Sequence, residues 1–271
     1  MAKQWQDNVA VITGAASGIG RALAVRLAQE GCHLALCDVN TEALEETAAL
    51  VRDAGREVFT SKLDVADRAA FSDFVDAVIE RFGGVHIVIN NAGVTVVDTV
   101  EHMSWEDFEW LMGINFWGMV YGSKLFLPHL KKQKQAYLLN VSSVFGFIAV
   151  PTQSSYNASK FGIRGFTEAL GHEFAGTNVY VGSIHPGGIK TNIARSARHY
   201  EDGVWIKDNH DKLSRRFDKM AKTTPEKAAD TIVRGMKKKK SRILIGKDAV
   251  VIDWIQRIFP TLYRKIILKF M

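Results

Sequence analysis

The feature that most narrows the folds open to this chain is a rhythm. Short β-branched runs alternate with longer helical stretches from residue 9 to residue 245. Strand patterns fall at 9–13, 33–37, 57–61, 87–89, 136–141, 179–184 and 242–245. Between them apolar residues recur at helical spacing, as with Ile19, Leu23 and Leu27 against polar Arg21, Arg26 and Gln29 in 18–30. Further helices are read at 41–54, capped by Thr41 and stopped by Gly55, and at 67–82, stopped by Gly83-Gly84. Others run from a Ser104 cap to about 131, at 155–175 and at 225–236. Parallel strands need a crossover, and crossovers are right-handed. The alternation therefore predicts a mostly parallel seven-stranded sheet with helices on both faces.

A doubly wound, Rossmann-like α/β architecture meets that demand. With 271 residues, 47% of them hydrophobic, the chain can bury one full core. No linker-like or repetitive stretch divides it, so 1–247 reads as one Rossmann-type domain and 248–271 as an amphipathic extension. The opening Met-Ala-Lys-Gln-Trp-Gln-Asp holds no apolar run of signal-peptide length. Cys32 and Cys37 lie five apart in one apolar segment. On a strand they point to opposite faces, which disfavours a bridge and assigns both to the core. A cytoplasmic location is expected. His86, His102, His129, His172, His185, His199 and His210 pair with no carboxylate or cysteine at ligand spacing, so no metal is expected.

The glycine-rich turn sits where this architecture receives an anion, between the first strand and the first helix. In Thr13-Gly14-Ala15-Ala16-Ser17-Gly18-Ile19-Gly20, Gly14 permits the tight turn and Gly18 lets the backbone approach a pyrophosphate. Gly20 lets the helix pack on the sheet, and Ser17 and Ile19 complete the helix N-terminus that faces the anion. The spacing is Gly-x-x-x-Gly-x-Gly, not the commoner Gly-x-Gly-x-x-Gly. Asp38 ends the second strand, where a carboxylate binds both ribose hydroxyls and repels a 2′-phosphate. Ser17 and Val39 offer no cation to neutralise that phosphate, so NAD is expected over NADP. Asp64-Val65 follows the third strand and is read either as a border of the adenine or as a helix cap.

Further on lies Tyr156-Asn-Ala-Ser-Lys160, preceded by Ser143 and, in Gly113-Ile-Asn-Phe-Trp-Gly118, by Asn115. A tyrosine and a lysine four apart share a helix face. An ammonium beside a phenol is expected to lower a pKa that is ordinarily about 10. The tyrosine then serves as a general acid or base near neutral pH. Together with the glycine turn, Asp64, Asn90-Asn91-Ala92-Gly93 and Pro186-Gly187, these residues resemble the short-chain dehydrogenase/reductase family across 8–190.

That resemblance implies an oxidoreductase that interconverts an alcohol and a ketone with a nicotinamide cofactor. It implies that Asn91, Ala92 and Gly93 steady the sheet centre and line the cofactor cleft. Ser143 would bind the substrate oxygen, Tyr156 pass the proton, and Lys160 hold the nicotinamide ribose. Asn115 would kink its helix and anchor a water linking Lys160 to solvent. Pro186, Gly187, Ile189 and Thr191 would border the nicotinamide. The thirteen-residue spacing to Tyr156 favours Ser143 over Ser142.

Val94, Val96, Val97, Val144, Phe145, Phe147, Ile148 and Val150 flank these motifs. If they wall the cleft, with Phe145 at the substrate, the substrate is apolar: steroid-, retinoid- or lipid-like. Residues 191–224 form a long polar segment, with Trp205 in its middle, expected to act as a substrate lid. Charge is lopsided: 212–271 holds 17 Lys and Arg against 5 Asp and Glu, whereas the preceding residues hold 18 against 24. In the extension, apolar residues and aromatics are interleaved with Arg257, Arg264, Lys265 and Lys269, and Pro260 interrupts it. It is read as lying in a membrane surface or as packing on protein, with nucleic acid set aside. A homo-oligomer, dimer or tetramer, is expected through the helices at 104–131 and 155–175. The rival readings are an NADP-linked carbonyl reductase and a non-catalytic nucleotide-binding scaffold.

Overall fold

The computed structural model describes residues 4–200 and 210–265. In chain order the elements are β1 (Val9–Thr13), α1 (Gly18–Gln29), β2 (His33–Asp38), α2 (Thr41–Asp53), β3 (Val58–Lys62) and α3 (Arg68–Phe82). Then come β4 (Ile87–Asn90), β5 (Val96–Val97), α4 (Trp105–Met112), α5 (Gly118–Leu130), β6 (Ala136–Val141) and α6 (Ser154–Glu173). The chain continues with β7 (Val179–Pro186), β8 (Arg198–His199), α7 (His210–Met220), α8 (Pro225–Lys237), β9 (Arg242–Ile245) and α9 (Lys247–Ile258). Seven strands form one parallel sheet in the order β3-β2-β1-β4-β6-β7-β9. This is the doubly wound, Rossmann-like sheet that the alternation predicts. The winding reverses between β1 and β4, which opens a crevice at the strands' C-terminal ends.

Strand alternation sorts the core into two layers. Ala10, Ile12, Leu34 and Leu36 pack with Leu23 and Leu27 of α1 and with Ile232 and Met236 of α8. Val9, Val11, Ala35 and Cys37 pack on the other face with Phe71, Phe74 and Phe126. Cys32 belongs to the first layer and Cys37 to the second, and both are free thiols.

Several local details differ from the sequence reading. Asn40, not Thr41, caps α2, its side chain accepting the Ala43 N–H. Asp67, not Asp64, caps α3, accepting from Ala69 and Ala70. The helix begun by the Ser104 cap is not uniform: α4 and α5 are joined by a π-helical segment, Gly113–Trp117. Residues 191–224 are not all loop. Val96 and Val97 pair in parallel with Arg198 and His199, and α7 follows. Trp205 lies outside the described residues, as do 266–271 of the extension.

The described part of the extension is α9 and the turn after it. One side faces the body: Asp253 is buried, and Tyr263 packs on Phe147 and Ile148, its hydroxyl accepting the Ala149 N–H at 3.4 Å. No helix among the described residues is long and apolar enough to cross a membrane.

Candidate active site

The crevice is built around Thr13. Its hydroxyl oxygen accepts the N–H groups of Asn91 and Ala92, both at 3.0 Å. The Asn91 amide donates to the carbonyls of Thr13 and Gly14 at 2.9 and 3.0 Å. Gly14 (φ +65°) and Gly18 (φ +53°) need the left-handed conformation that glycine alone adopts freely. Gly20 is required for a different reason from helix–sheet packing in general, since a Cβ there would strike the Gly14 carbonyl oxygen. Ser17 stands at the N-cap of α1, its carbonyl accepting the Arg21 N–H but its side chain capping none, so the first N–H groups stay open toward an anion. Ile19 follows in the first turn.

Asp38 is less free than a solvated turn residue. Its carboxylate accepts the N–H of Ala16 and of Asn40, both at 3.0 Å. It thereby fixes the glycine turn while lying at the crevice edge. Arg21, a cation beside that turn, is already engaged by the Ala16 and Ala43 carbonyls and by Glu46. Asp64 is exposed and accepts the Ala66 N–H, and Val65 is buried against Gly118 of α5.

The reacting groups come from the far side of the switch point. Asn115 sits at the centre of the π-segment, where its Oδ1 accepts the Val94 N–H at 2.8 Å and its Nδ2 donates to the Val94 carbonyl at 2.9 Å. The side chain thus behaves as a strand partner to the chain leaving β4. Its Nδ2 also donates to the Ser159 hydroxyl at 3.2 Å. Gly93 lies where an added Cβ would stand 3.4 Å from both the Asn115 Oδ1 and the Lys160 Nζ. Lys160 is buried and donates to the Val141 carbonyl at 3.0 Å. The two adjacent serines have different partners. Ser142 donates to the Lys160 carbonyl, which anchors α6, whereas the Ser143 hydroxyl oxygen accepts the Phe145 N–H at 3.1 Å and acts on the Tyr156 phenol.

The electrostatics depart from the expected depression of the phenol. Burial pushes the Tyr156 pKa up to about 12, against the lowering influence of the Ser143 hydroxyl. Burial likewise pushes the Lys160 pKa down to about 8. Lys160 Nζ lies 5.4 Å from the centroid of the Tyr156 ring and spends a hydrogen bond on Val141. Desolvation sets the direction of both shifts. The phenol carries its proton at neutral pH and holds it more tightly than a free tyrosine does.

On the side of β7, Pro186 ends the strand and Gly187 donates to the Ile245 carbonyl. Ile189 is buried, and the Thr191 Cγ2 lies 3.1 Å from where a Gly18 Cβ would be. The strip 187–191 therefore reaches back to the glycine turn. Around Tyr156, an apolar cluster contains Val96 and Leu111 with Val94, Trp110, Phe145 and Ile193. Phe145 meets the Tyr156 ring edge-on at 6.0 Å. Phe147 and Ile148 are not part of this wall, because they turn to the extension and pack with Tyr263.

His185, met in the sequence only as a histidine without a metal-ligand pairing, has a part beside the reactive loop. The ring is fully buried and stacked on Phe147 at 4.2 Å. Its Nδ1 donates to the Ser143 carbonyl at 3.0 Å, which requires a proton there, and its Nε2 accepts from the Ser183 hydroxyl at 2.9 Å. The signal available was its place immediately before Pro186-Gly187. Burial pushes its pKa down to about 4, opposed by the bond to Ser143. Above pH 6.5 the imidazole is neutral whether the chain is folded or not. As pH falls from 6.5 toward 4, the unfolded chain takes up a proton that the folded chain refuses, so stability falls. From pH 7 to pH 5 this loss is about 2 kcal/mol. Urea unfolding of the natural chain and of His185→Asn at both pH values checks it, and the variant should lose less stability over that interval.

Comparison with known proteins agrees with this geometry. The model of the short chain dehydrogenase family matches residues 8–202. A Mycobacterium tuberculosis protein named as an oxidoreductase, SadH, is 44% identical over 266 residues, covering 97% of this chain and 95% of its own. The 3-oxoacyl-[acyl-carrier-protein] reductase FabG of Thermotoga maritima is 34% identical over 186 residues, 69% of this chain and 76% of its own. A short-chain dehydrogenase/reductase from Burkholderia phymatum, solved in complex with NAD, superimposes with a TM-score of 0.88 at 30% identity, covering 96% of each chain. A match that runs nearly end to end in both sequence and backbone leaves one assignment: this chain is a member of the short-chain dehydrogenase/reductase family of oxidoreductases.

Proposed function

We propose that the chain is an NAD-dependent oxidoreductase that interconverts a secondary alcohol and its ketone on an apolar, steroid-, retinoid- or lipid-like substrate. The observation that carries this reading is the buried Tyr156 phenol, acted on by the Ser143 hydroxyl and with buried Lys160 5.4 Å from its ring centroid, across the crevice from an open helix N-terminus.

The residues fit a dinucleotide. A Cβ at Gly18 would crowd the cradle between the glycine turn and Thr191, and the N–H groups at the start of α1 face that cradle unbonded by Ser17. In this reading Gly14, Ser17, Gly18, Ile19 and Gly20 hold the pyrophosphate and Asp38 the adenosine ribose, with Asp64 and Val65 at the adenine. Asn91, Ala92, Gly93 and Lys160 line the nicotinamide ribose, and Pro186, Gly187, Ile189 and Thr191 the ring. Asp38 is held in place and Arg21 is committed elsewhere, which favours NAD over NADP. The NAD bound by the Burkholderia relative agrees. A nicotinamide dinucleotide supplies the hydride donor or acceptor when bound.

The chain's own groups handle the oxygen and the proton. Ser143 and Tyr156 together bind the substrate oxygen. In ketone reduction the protonated phenol donates to that oxygen as negative charge develops on it. In alcohol oxidation the substrate hydroxyl gives its proton to the deprotonated phenol oxygen, which Lys160 with Asn115 stabilises before the proton passes outward. Phe145, Val94 and Ile193 give the substrate an apolar wall. Ile193 belongs to 191–224, which supports a lid role for that segment. The Thermotoga relative is named for a 3-oxoacyl group, a ketone on an acyl chain, which agrees with an apolar substrate.

Two surfaces supply partner readings. Trp117 and Phe161 stand exposed on the helices at 104–131 and 155–175, which supports dimer assembly through them. On α9 and just after it, Val250, Val251, Trp254, Ile258, Phe259 and Leu262 are exposed, beside exposed Lys247, Arg257, Arg264 and Lys265. That outer side suits peripheral contact with an anionic lipid surface.

Initial rates with NAD and NADP across sterols, retinoids and long-chain ketones test the central reading. Tyr156→Phe should lose about a hundredfold or more in kcat/KM with dinucleotide affinity retained. A turnover preference of tenfold for NADP would overturn the cofactor assignment. Sedimentation of Phe161→Glu should show monomer where the natural chain is dimeric or larger; unchanged sedimentation removes that interface. Vesicles rich in phosphatidylserine should pellet the full chain and leave a chain ending at Lys247 in the supernatant. Equal pelleting removes the membrane reading.

A further inference from the structure

The extension begins with a contact on the cofactor side of the crevice. Gly246, at φ +98°, turns the chain into α9, and the second residue of that helix, Asp248, directs its carboxylate onto the Gly187–Gly188 turn. Its Oδ2 accepts the Gly188 N–H at 2.6 Å. A Cβ at Gly187 would run into the same carboxylate, so this carboxylate requires glycine at 187. Asp248 lies in the first turn of α9, where the helix dipole favours its negative charge. A charged acceptor makes a bond roughly twice as strong as a neutral one. The neighbouring backbone ties are a 2.9 Å bond from Gly187 to Ile245 and a longer one, 3.3 Å, from Thr223 to Gly188.

Past Gly188 the chain runs through buried Ile189, whose backbone bridges to Thr223, and ends at Thr191 against Gly18. Gly188 is thus the near end of a short strip whose far end touches the glycine turn. A group that sets Gly188 sets the line of the strip.

We propose that Asp248 is a positioning residue for the cofactor: its carboxylate holds strip 187–191 in the register that receives the nicotinamide end of the dinucleotide. The inference rests on the dinucleotide reading given above. It assigns the extension a part in the site that the motifs of the sequence do not announce.

Binding of NADH and of ADP-ribose to the full chain separates the possibilities. ADP-ribose keeps the adenosine and both phosphates and lacks the nicotinamide. In Asp248→Ala the Kd for NADH should rise about tenfold, the size of one lost charge-assisted bond. In Asp248→Asn, whose side-chain oxygen still accepts the Gly188 N–H, it should rise about threefold. The Kd for ADP-ribose should stay within about twofold in both. If the alanine variant does not fold, the ratio of the two affinities in the asparagine variant decides alone. Equal weakening of both ligands, or NADH affinity unchanged, overturns the inference while leaving the dinucleotide reading intact. A natural chain that binds neither ligand overturns that reading, and the inference with it.

Discussion

At the end of β1 the Thr13 hydroxyl oxygen accepts two backbone N–H groups from the chain leaving β4, and the Asn91 amide answers with two bonds to the chain leaving β1. The sheet reverses its winding here, so the two chains diverge and their backbone groups lose the strand partners they had within the sheet. Side chains replace those partners without filling the crevice. The glycine turn is placed from one side of this knot. From the other, the short run Asn91-Ala92-Gly93 leads to Val94, which the Asn115 amide grips by both its N–H and its carbonyl. Lys160 and Asn115 then meet Gly93, where an added methyl would touch both at 3.4 Å.

Much of this was legible in the chain. Strand–helix alternation identified every strand of the main sheet, because buried parallel strands must be apolar throughout and their crossover helices must keep one apolar side. The glycine turn and the residues Asn115, Ser143, Tyr156 and Lys160 carry enough spacing information to be singled out. What escaped depends on contacts distant in sequence. The resemblance implied a kink at Asn115, but its form, a π-segment in which Asn115 pairs with the backbone of Val94, is not revealed by helical periodicity. The β5–β8 pair joins residues 96–97 to 198–199 and leaves no local pattern. Asn40 and Asp67 displaced Thr41 and Asp64 as caps because several competent residues stand together at each helix start, and the backbone decides among them.

The behaviour of Tyr156 and Lys160 could not be read from their spacing. Helical geometry places an ammonium near a phenol, and the attraction between charges favours ionising both. Removal from water opposes that for each group separately. In this protein the second effect prevails, and the phenol rises while the ammonium falls. Spacing specifies proximity, whereas depth of burial sets the sign of the shift, and depth is a property of the assembled fold.

The guanidinium of Arg242 lies 5.0 Å from the centroid of Phe147 and forms ion pairs with Glu168 of α6 and with Asp253 of α9. Arg164 approaches the same ring at 5.0 Å and shares Glu168. Phe147 in turn stacks on the imidazole that holds the Ser143 carbonyl. One aromatic ring is therefore common ground for the reactive loop and the terminal helix. Each charge here has a second partner, because Arg242 keeps Glu168 without Asp253, and Asp253 keeps Arg257 at 2.9 Å without Arg242. Single changes in this network are therefore cushioned by the partner that remains, and descendants of this chain can drift at one of these positions without losing the seam between body and terminal helix.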